Sequence, residues 1–271
     1  MWTTNVGLDN AWRTRRPSTR AQENARLEVA IQAAHVRTRQ TYGPERLQAE
    51  LREDGFPAGI SRIKRLRKKL GLRCAPVRRF TTTTDSTHAL PVAAYVLAQT
   101  FTTRRPNETW VTDITYVPTV EGWLYLAGVK DLDTGEVVGH AMDARMTMDL
   151  VQSALLKAID TKRPARGLLH HSDRGSQYCA QAYQATLKQF GLIPSMSRRG
   201  NCYDNAPMES FWGTLKNELV HHRHFETREQ ARHEISEYIE LFYNRQRRHS
   251  RLGNQSPAAF AQQGARQQPA A

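Results

Sequence analysis

The chain has few cysteines and no long apolar run. Its 271 residues include only three cysteines, Cys74, Cys179 and Cys202, which lie far apart and form no CxxC pair. This spacing argues against a disulfide framework and against a zinc module. No apolar run approaches the roughly 18 residues of a membrane span, and the opening MWTTNVGLDNAWRTRRP lacks the apolar core of a secretion signal. We therefore expect a cytoplasmic protein that does not associate with a membrane.

Acidic residues are scarce in the first third of the chain. Residues 1–106 contain 20 Lys and Arg against 8 Asp and Glu, whereas the rest contains 19 against 18, so almost all of the net charge of +13 is N-terminal. Such an excess favours a polyanionic partner, most simply nucleic acid, although charge alone also allows an anionic membrane surface. The length is sufficient for one large or two modest domains.

The basic N-terminal third has a helical pattern. Residues 1–21 are polar and Arg-rich and predict a flexible arm. Residues 22–75 predict three helices, of which the last, in GISRIKRLRKKLGLR, places Ile63, Leu66 and Leu70 on one face. This pattern favours a helix-turn-helix type of domain whose third helix lies on DNA, with a solvated amphipathic helix as the alternative. The predicted DNA contacts on this helix are Arg62, Lys64, Arg65, Lys68 and Lys69.

The remaining residues predict an α/β domain. Residues 76–106 have Thr- and Pro-rich ends and predict a linker. Within the predicted core, residues 107–260, the runs WVTDITYVP, WLYLAGVKDLD and EVVGHAMD predict a three-stranded antiparallel meander. Residues 148–162 predict a helix, and alternating strands and helices follow, which favours a mixed sheet covered by helices. Residues 261–271 are Gln- and Ala-rich and predict a disordered tail.

Three acidic residues interrupt apolar stretches of this domain. Asp113 lies inside a strand pattern, Asp173 ends one, and Glu209 lies one turn into a predicted helix. A carboxylate in such surroundings is costly unless it is neutralised, and three converging carboxylates repel one another without a cation. Any one of them is most simply a surface or ion-paired acid, but together they indicate a divalent metal site and hence phosphate chemistry.

The order and spacing of these acids resemble a known catalytic core. Asp113 and Asp173 are 60 positions apart, and Asp173 and Glu209 are 36 apart. With the strings TYGPERL, WVTDITYV, HHSDRGSQY, SMSRRGNCYDNAPMESFWGTLKNEL and YNRQRRHSRLGNQSPAAF, they resemble the second-reading-frame transposases of the IS3 family of insertion sequences. The resemblance implies a ribonuclease-H-like integrase core with a mixed five-stranded sheet and flanking helices. It further implies that the three acids are catalytic ligands of two Mg²⁺ ions, for which Mn²⁺ can substitute.

The resemblance also implies partners and a reaction. The partners are DNA, as element ends and as target, a small helix-turn-helix protein from an upstream frame, and further copies of the chain assembled on DNA. The reaction is metal-dependent cleavage and strand transfer at the element ends, in a bacterial cytoplasm and at the nucleoid when the protein is bound to DNA. A hydrolysis-only nuclease of the same fold and a non-catalytic DNA-binding regulator are the alternatives.

Several basic residues surround the predicted site. Lys216 lies two helical turns after Glu209, and the resemblance implies that it contacts DNA near the scissile phosphate; a surface lysine is the alternative. The other predicted phosphate contacts lie in the loops SRRGN and YNRQRRHSRLG, where solubilising surface is the alternative. These residues are Arg198, Arg199, Arg247 and Arg248.

Further residues near the acids have structural interpretations. His170 and His171 are expected to be packed or hydrogen-bonded within the strand more readily than to take part in the reaction. Asp204 and Asn205 are expected to cap the helix that carries Glu209. Trp212 is expected to belong to the core, with stacking on a nucleobase as the alternative.

Overall fold

The computed structural model of the chain describes residues 16–74, 90–103, 105–199 and 201–267. The chain divides into two compact units, and the division falls between Ala75 and Pro76. Within the described ranges, no helix is long and apolar enough to cross a membrane.

The described residues of the N-terminal unit, 16–74, form three helices, as predicted. They are α1 (Thr19–Arg37), α2 (Pro44–Glu53) and α3 (Ile60–Lys69). Ser18 begins α1, because its Oγ accepts a hydrogen bond from the backbone N–H of Ala21. The predicted arm is therefore too long by its last three residues, while residues 1–15 lie outside the described ranges. The three helices enclose a small apolar core made of Leu27, Ile31, Ala34, Tyr42, Leu47, Leu51, Ile63 and Leu66.

A five-stranded mixed sheet forms the centre of the second unit. The strands are β1 (Thr109–Thr119), β2 (Gly122–Asp131), β3 (Val137–Asp143), β4 (Leu169–Ser172) and β5 (Ile193–Met196). Their order across the sheet is β3-β2-β1-β4-β5. The first three form the predicted antiparallel meander, whereas β4 runs parallel to β1 and to β5. This is the mixed five-stranded sheet that the family resemblance implies.

Helices cover both faces of this sheet. The α-helices among the described residues of this unit are α4 (Met148–Lys162), α5 (Ser176–Cys179), α6 (Gln181–Phe190), α7 (Ala206–Glu218), α8 (Arg228–Glu237) and α9 (Pro257–Gln267), of which α4 to α8 contribute to the packing on the sheet. The bounds of α4 match the prediction, and a short 3₁₀ turn at Cys202–Asn205 precedes α7. A π-helical segment, Tyr238–Tyr243, continues α8.

Two apolar clusters lie on opposite faces of the sheet. One contains buried residues of α4, α5 and α6, and the other contains those of α7 and α8. Gly139 of β3 allows the closest approach, since a Cβ at this position would overlap the backbone carbonyl of Ala154 in α4. Helices thus cover both sides of the sheet, and α7 packs on the side opposite α4, α5 and α6.

The predicted linker is partly a component of the core. In residues 90–103, the backbone N–H groups of Val96 and Leu97 donate to Ser195 Oγ at 3.0 and 3.1 Å. Leu97 is buried in the apolar cluster under α7. The linker prediction is therefore wrong for this segment, because the segment is hydrogen-bonded to a strand about 100 residues away. Contacts at such a separation produce no periodic pattern in the sequence. The rest of the predicted linker, residues 76–89 and 104, lies outside the described ranges.

The predicted disordered tail is also partly ordered. Residues 261–267 belong to α9, which Pro257 begins. The backbone N–H of Ala258 donates to the carbonyl of Asn244 at 2.9 Å, which anchors the first turn. Alanine and glutamine favour helix once such a turn has formed. Residues 268–271 lie outside the described ranges.

Candidate active site

Sheet register places two of the three acids side by side. In the parallel pair, Val111 of β1 lies opposite His171 of β4. Continuing this register by two residues places Asp173, just past the end of β4, next to Asp113. Neighbouring strands are about 4.8 Å apart, so the two carboxylates occupy one region beyond the point where β4 ends.

The Asp113 carboxylate is held by two N–H donors. Its Oδ1 accepts from the backbone of Ile114 at 2.8 Å, and its Oδ2 accepts from the indole Nε1 of Trp212 at 3.1 Å. Burial raises the pKa of Asp113, and the negative charge of Asp173 raises it further. The Asp173 Oδ1 accepts from the backbone of Gly175 at 2.9 Å. Two adjacent carboxylates that oppose each other's ionisation provide oxygen donors suited to a hard cation.

Glu209 lies farther from this pair. It is partly buried in the first turn of α7, and burial raises its pKa. Its charge has only a small effect on the pKa of Asp113, behind burial and Asp173. In the described part of the chain, no three His, Cys, Asp or Glu side chains lie close enough together to hold a metal ion. The structure therefore brings Asp113 and Asp173 together and leaves the Glu209 carboxylate outside that pair.

The start of α7 is tied to the sheet by two side chains. Asn205 Nδ2 donates to the carbonyl of Thr112 at 3.0 Å, and Lys130 Nζ of β2 donates to the carbonyl of Pro207 at 3.1 Å. Burial is the main reason that the pKa of Lys130 falls to about 7. Asn205 occupies the N-cap position but makes no capping hydrogen bond. The capping prediction is therefore wrong in mechanism, because Asn205 fixes the glutamate's helix through β1.

Asp204 is the centre of a buried network that sequence reasoning did not find. Its carboxylate accepts from Tyr95 Oη at 2.9 Å, from Gln99 Nε2 at 2.8 Å, and from the backbone, Nε and Nη2 of Arg198. These donors, chiefly Arg198, hold the pKa of Asp204 well below its usual range. Residues 95–99 thus connect to the loop before α7 through a side chain that was predicted only to cap the helix.

Lys216 lies inside the protein near the acids. Only 5% of the residue is exposed, and its Nζ lies 5.0 Å from the centre of the Tyr116 ring. Burial lowers the pKa of Lys216 to about 8, while the charge of Asp113 opposes this decrease. The surface-lysine alternative is therefore excluded in this structure.

The two loop arginines nearest the C-terminus are structural. Arg247 forms two 2.8 Å hydrogen bonds with the Glu218 carboxylate, from Nε and Nη2. Arg248 Nη1 donates to the carbonyl of Asn254 at 2.9 Å. Both arginines are largely buried, so the structure contradicts their predicted DNA contacts. In the other loop, Arg198 pairs with Asp204, whereas Arg199 is exposed.

Helix α3 keeps part of its predicted basic surface. Arg62 pairs with Glu23, and Lys69 pairs with Glu28, both on α1. The other predicted contacts are exposed, and no carboxylate of the described residues forms an ion pair with them. They are Lys64, Arg65 and Lys68.

The histidine pair has the structural role expected for it. His170 Nε2 lies 3.2 Å from Tyr183 Oη, and His171 lies between Ser195 and Ser197. Both rings are buried, and burial lowers the pKa of His170 to about 3 and that of His171 to about 4. The neutral imidazole of His170 therefore joins β4 to α6, and that of His171 joins β4 to β5.

Comparison with known proteins supports this architecture. The family described as "Integrase core domain" matches residues 103–202 and, in a second model, residues 209–264, while an "HTH-like domain" matches residues 21–80. The chain is 59% identical to the "Insertion element IS600 uncharacterized 31 kDa protein" of Shigella sonnei, covering 92% of each. It is 44% identical to "Transposase InsF for insertion sequence IS3A" of Escherichia coli K12, covering 92% of this chain and 86% of that one.

Two solved structures with a distant likeness to this chain come from viruses. One is the HTLV-2 integrase catalytic core domain in complex with magnesium, with 17% identity, a TM-score of 0.46, and coverage of 58% of this chain and 97% of that one. Another is the simian T-cell lymphotropic virus intasome with the PP2A subunit B56 gamma, with 18% identity, a TM-score of 0.46, and coverage of 79% and 70%.

The sequence relatives cover nearly the whole chain, and both of its units match families of the corresponding type. The ribonuclease-H-like fold expected from the sequence is therefore that of an integrase core, and an enzyme of this class acts on DNA. The chain belongs to the transposases of the IS3 family of insertion sequences.

Proposed function

We propose that Asp113, Asp173 and Glu209 form the catalytic site at which this transposase cleaves the ends of its insertion sequence and joins them to target DNA. The observation that carries the proposal is the placement of Asp113 beside Asp173 at the end of β4, where the charge of Asp173 raises the pKa of Asp113. Carboxylate oxygens in this arrangement suit Mg²⁺, and Mn²⁺ can use the same donors.

Glu209 completes the proposed site when DNA and cation are present. Its carboxylate has no hydrogen-bond partner among the described residues, and it lies in the first turn of a helix tied to β1 and β2. Two bound Mg²⁺ ions would supply activation of the attacking oxygen and stabilisation of the leaving oxygen. The protein holds the carboxylates in place, and the attacker is water in cleavage or a DNA 3′ hydroxyl in joining.

Lys216 is proposed to orient the DNA at this site. Its ammonium group is near Asp113 and is held over Tyr116, so it can approach a phosphate placed at the carboxylates. Removal of Lys216 should weaken the positioning of the scissile phosphate more than overall DNA affinity, because phosphate contacts orient the duplex. Arg199, which is exposed, is proposed as a further phosphate contact.

The N-terminal unit is proposed to hold DNA through α3. Lys64, Arg65 and Lys68 are exposed on this helix, in the most basic part of the chain. We also propose that additional copies of the chain assemble with it on the element ends, together with a small helix-turn-helix protein encoded in an upstream reading frame. The complex would form in the bacterial cytoplasm, at the nucleoid.

Product analysis tests the proposed reaction. A duplex that ends in the element's 3′ hydroxyl is incubated with target DNA, Mg²⁺ and the protein, together with its upstream-frame partner. We expect joined products of element end and target. Cleaved strands without any joined product would instead support a nuclease of the same fold, and binding without either product would support a regulator.

A further inference from the structure

Trp212 connects the helix of Glu209 to the strand of Asp113. It lies three residues after Glu209 in α7, on the face that packs on the sheet, and only 2% of it is exposed. Its indole Nε1 donates to Asp113 Oδ2 at 3.1 Å. From the sequence alone, Trp212 is expected to belong to the core, with stacking on a nucleobase as the alternative. Burial excludes stacking on a base in this structure, and the hydrogen bond adds a contact that core packing alone does not require.

Gly128 makes this contact possible. It lies opposite Asp113 in β2, and a Cβ at this position would be 2.8 Å from Cη2 of Trp212 and 3.3 Å from Cε of Met208. Since real Cβ atoms do not approach other atoms so closely, any larger residue would displace the indole ring from the strand. The absent side chain therefore leaves the space in which the ring lies across β2 and reaches the carboxylate.

The chemistry of the indole suits a positioning role. Its N–H can only donate, so it neither competes for a cation nor changes its role with pH. With the backbone N–H of Ile114 on the other oxygen, each oxygen of Asp113 receives one donor and keeps further lone-pair positions. Hydrogen bonds of this kind orient the carboxylates that bind metals.

We propose that Trp212 is a positioning residue: its indole N–H fixes the Asp113 carboxylate for cation binding, and Gly128 provides the space for its ring. The inference rests on the proposed function, in which Asp113 binds the cation. It predicts that a substitution that removes the indole N–H of Trp212 but keeps an aromatic ring weakens cation binding without unfolding the core.

The test compares two tryptophans of the same unit. Trp110 of β1 is also fully buried and also donates its indole N–H to a side chain, Asn107 Oδ1 at 3.2 Å, but it does not contact the acids. Mn²⁺ affinity of the whole protein is measured by electron paramagnetic resonance for wild type, Trp212→Phe and Trp110→Phe. We expect Trp212→Phe to bind Mn²⁺ about 10- to 100-fold more weakly and Trp110→Phe to bind it as wild type does.

Further variants and a folding measurement distinguish failure of this inference from failure of the proposed function. Gly128→Ala should weaken Mn²⁺ binding in the same direction as Trp212→Phe, and thermal melting reports whether each variant is folded. Folded Trp212→Phe with wild-type Mn²⁺ affinity would overturn this inference and leave the proposed function standing. If the wild type binds no Mn²⁺, or if Asp113→Asn binds Mn²⁺ as the wild type does, the proposed function fails together with the inference.

Discussion

At the scale of single residues, two buried carboxylates are stabilised by basic side chains. Asp204 is fully buried and accepts hydrogen bonds from three other side chains, and Arg247 is paired with Glu218. His140 of β3 instead stays neutral, because burial and the charge of Lys157 lower its pKa to about 4. These side chains join elements that are far apart in the sequence.

Replacement of Asp204 tests this view. Asp204→Asn removes the charge from the hydrogen bonds with Arg198 and leaves an amide facing donors, so we expect the free energy of unfolding to fall by about 2 kcal/mol or more. Urea denaturation measures the change. Asp160→Asn, at an exposed position in α4, should change stability by less than about 0.5 kcal/mol. Equal effects of the two substitutions would contradict the network's role.

His140 makes stability depend on pH in a defined direction. Its pKa falls from 6.5 to about 4 on folding, so between these values the unfolded chain binds more protons than the folded one. Stability is therefore lost as pH falls from 6.5 towards 4, by about 3 kcal/mol for this residue. The imidazole faces Ser236, Glu240 and Lys157. His140→Gln should show a flatter loss in denaturant titrations over this pH range, and an unchanged slope would refute the assignment.

At the scale of elements, the segments around α7 are held by contacts that cross the fold. The start of α7 is tied to β1 and β2. At its end, Glu218 accepts hydrogen bonds from Tyr238 of the π-helical segment and from Arg247 in the loop that follows. The position of Glu209 is thus set from both ends of its helix.

Replacement of Arg247 by alanine distinguishes a structural role of this residue from a DNA-binding role. Arg247→Ala leaves Glu218 buried without its cation, so we expect a loss of about 3 to 5 kcal/mol in the free energy of unfolding. Circular dichroism with urea measures it. Arg199→Ala, at an exposed position, should leave stability within about 0.5 kcal/mol of wild type. A stable Arg247→Ala protein with weakened DNA affinity would restore the DNA contact that the structure contradicts.

The sequence predicts elements with a regular period better than contacts between distant residues. The meander, α4 and the separation of the basic N-terminal unit follow from period and charge, and the pairing of β1 with β4 places Asp113, inside β1, next to Asp173, just past the end of β4. Tyr95 and Gln99, by contrast, reach Asp204 across more than 100 positions, and Arg247 meets Glu218 across 29. No local pattern records such pairs, so the linker and the loop arginines were misassigned.

At the scale of the whole molecule, charge and chemistry are divided between the two units. The N-terminal unit, residues 1–75, has 16 Lys and Arg against 7 Asp and Glu and carries most of the net positive charge. Residues 76–271 have 23 against 19 and include Asp113, Asp173 and Glu209. DNA affinity that depends on salt should therefore come largely from the first unit, because phosphate neutralisation releases counterions.

Replacement of the exposed basic residues of α3 tests this division. The triple variant Lys64→Ala, Arg65→Ala, Lys68→Ala should lower the slope of log affinity against log salt by up to about 3 units. Fluorescence anisotropy at several salt concentrations gives the slope. Lys157→Ala with Lys188→Ala, both exposed on the core, should leave it nearly unchanged. Equal slopes for the triple variant and wild type would place the main DNA contact elsewhere.

The central claim is that the acids bind the cations used in DNA joining, and a change of ligand type tests it most directly. Asp173→Cys replaces a carboxylate by a thiolate, which binds Mn²⁺ better than Mg²⁺. We predict that this variant binds element-end DNA as wild type does, loses at least about 10³-fold of joining in Mg²⁺, and regains part of it in Mn²⁺. Two results would contradict the account. One is a variant that joins DNA in Mg²⁺ as the wild type does. The other is a folded variant that binds DNA but whose loss of joining is not reversed by Mn²⁺.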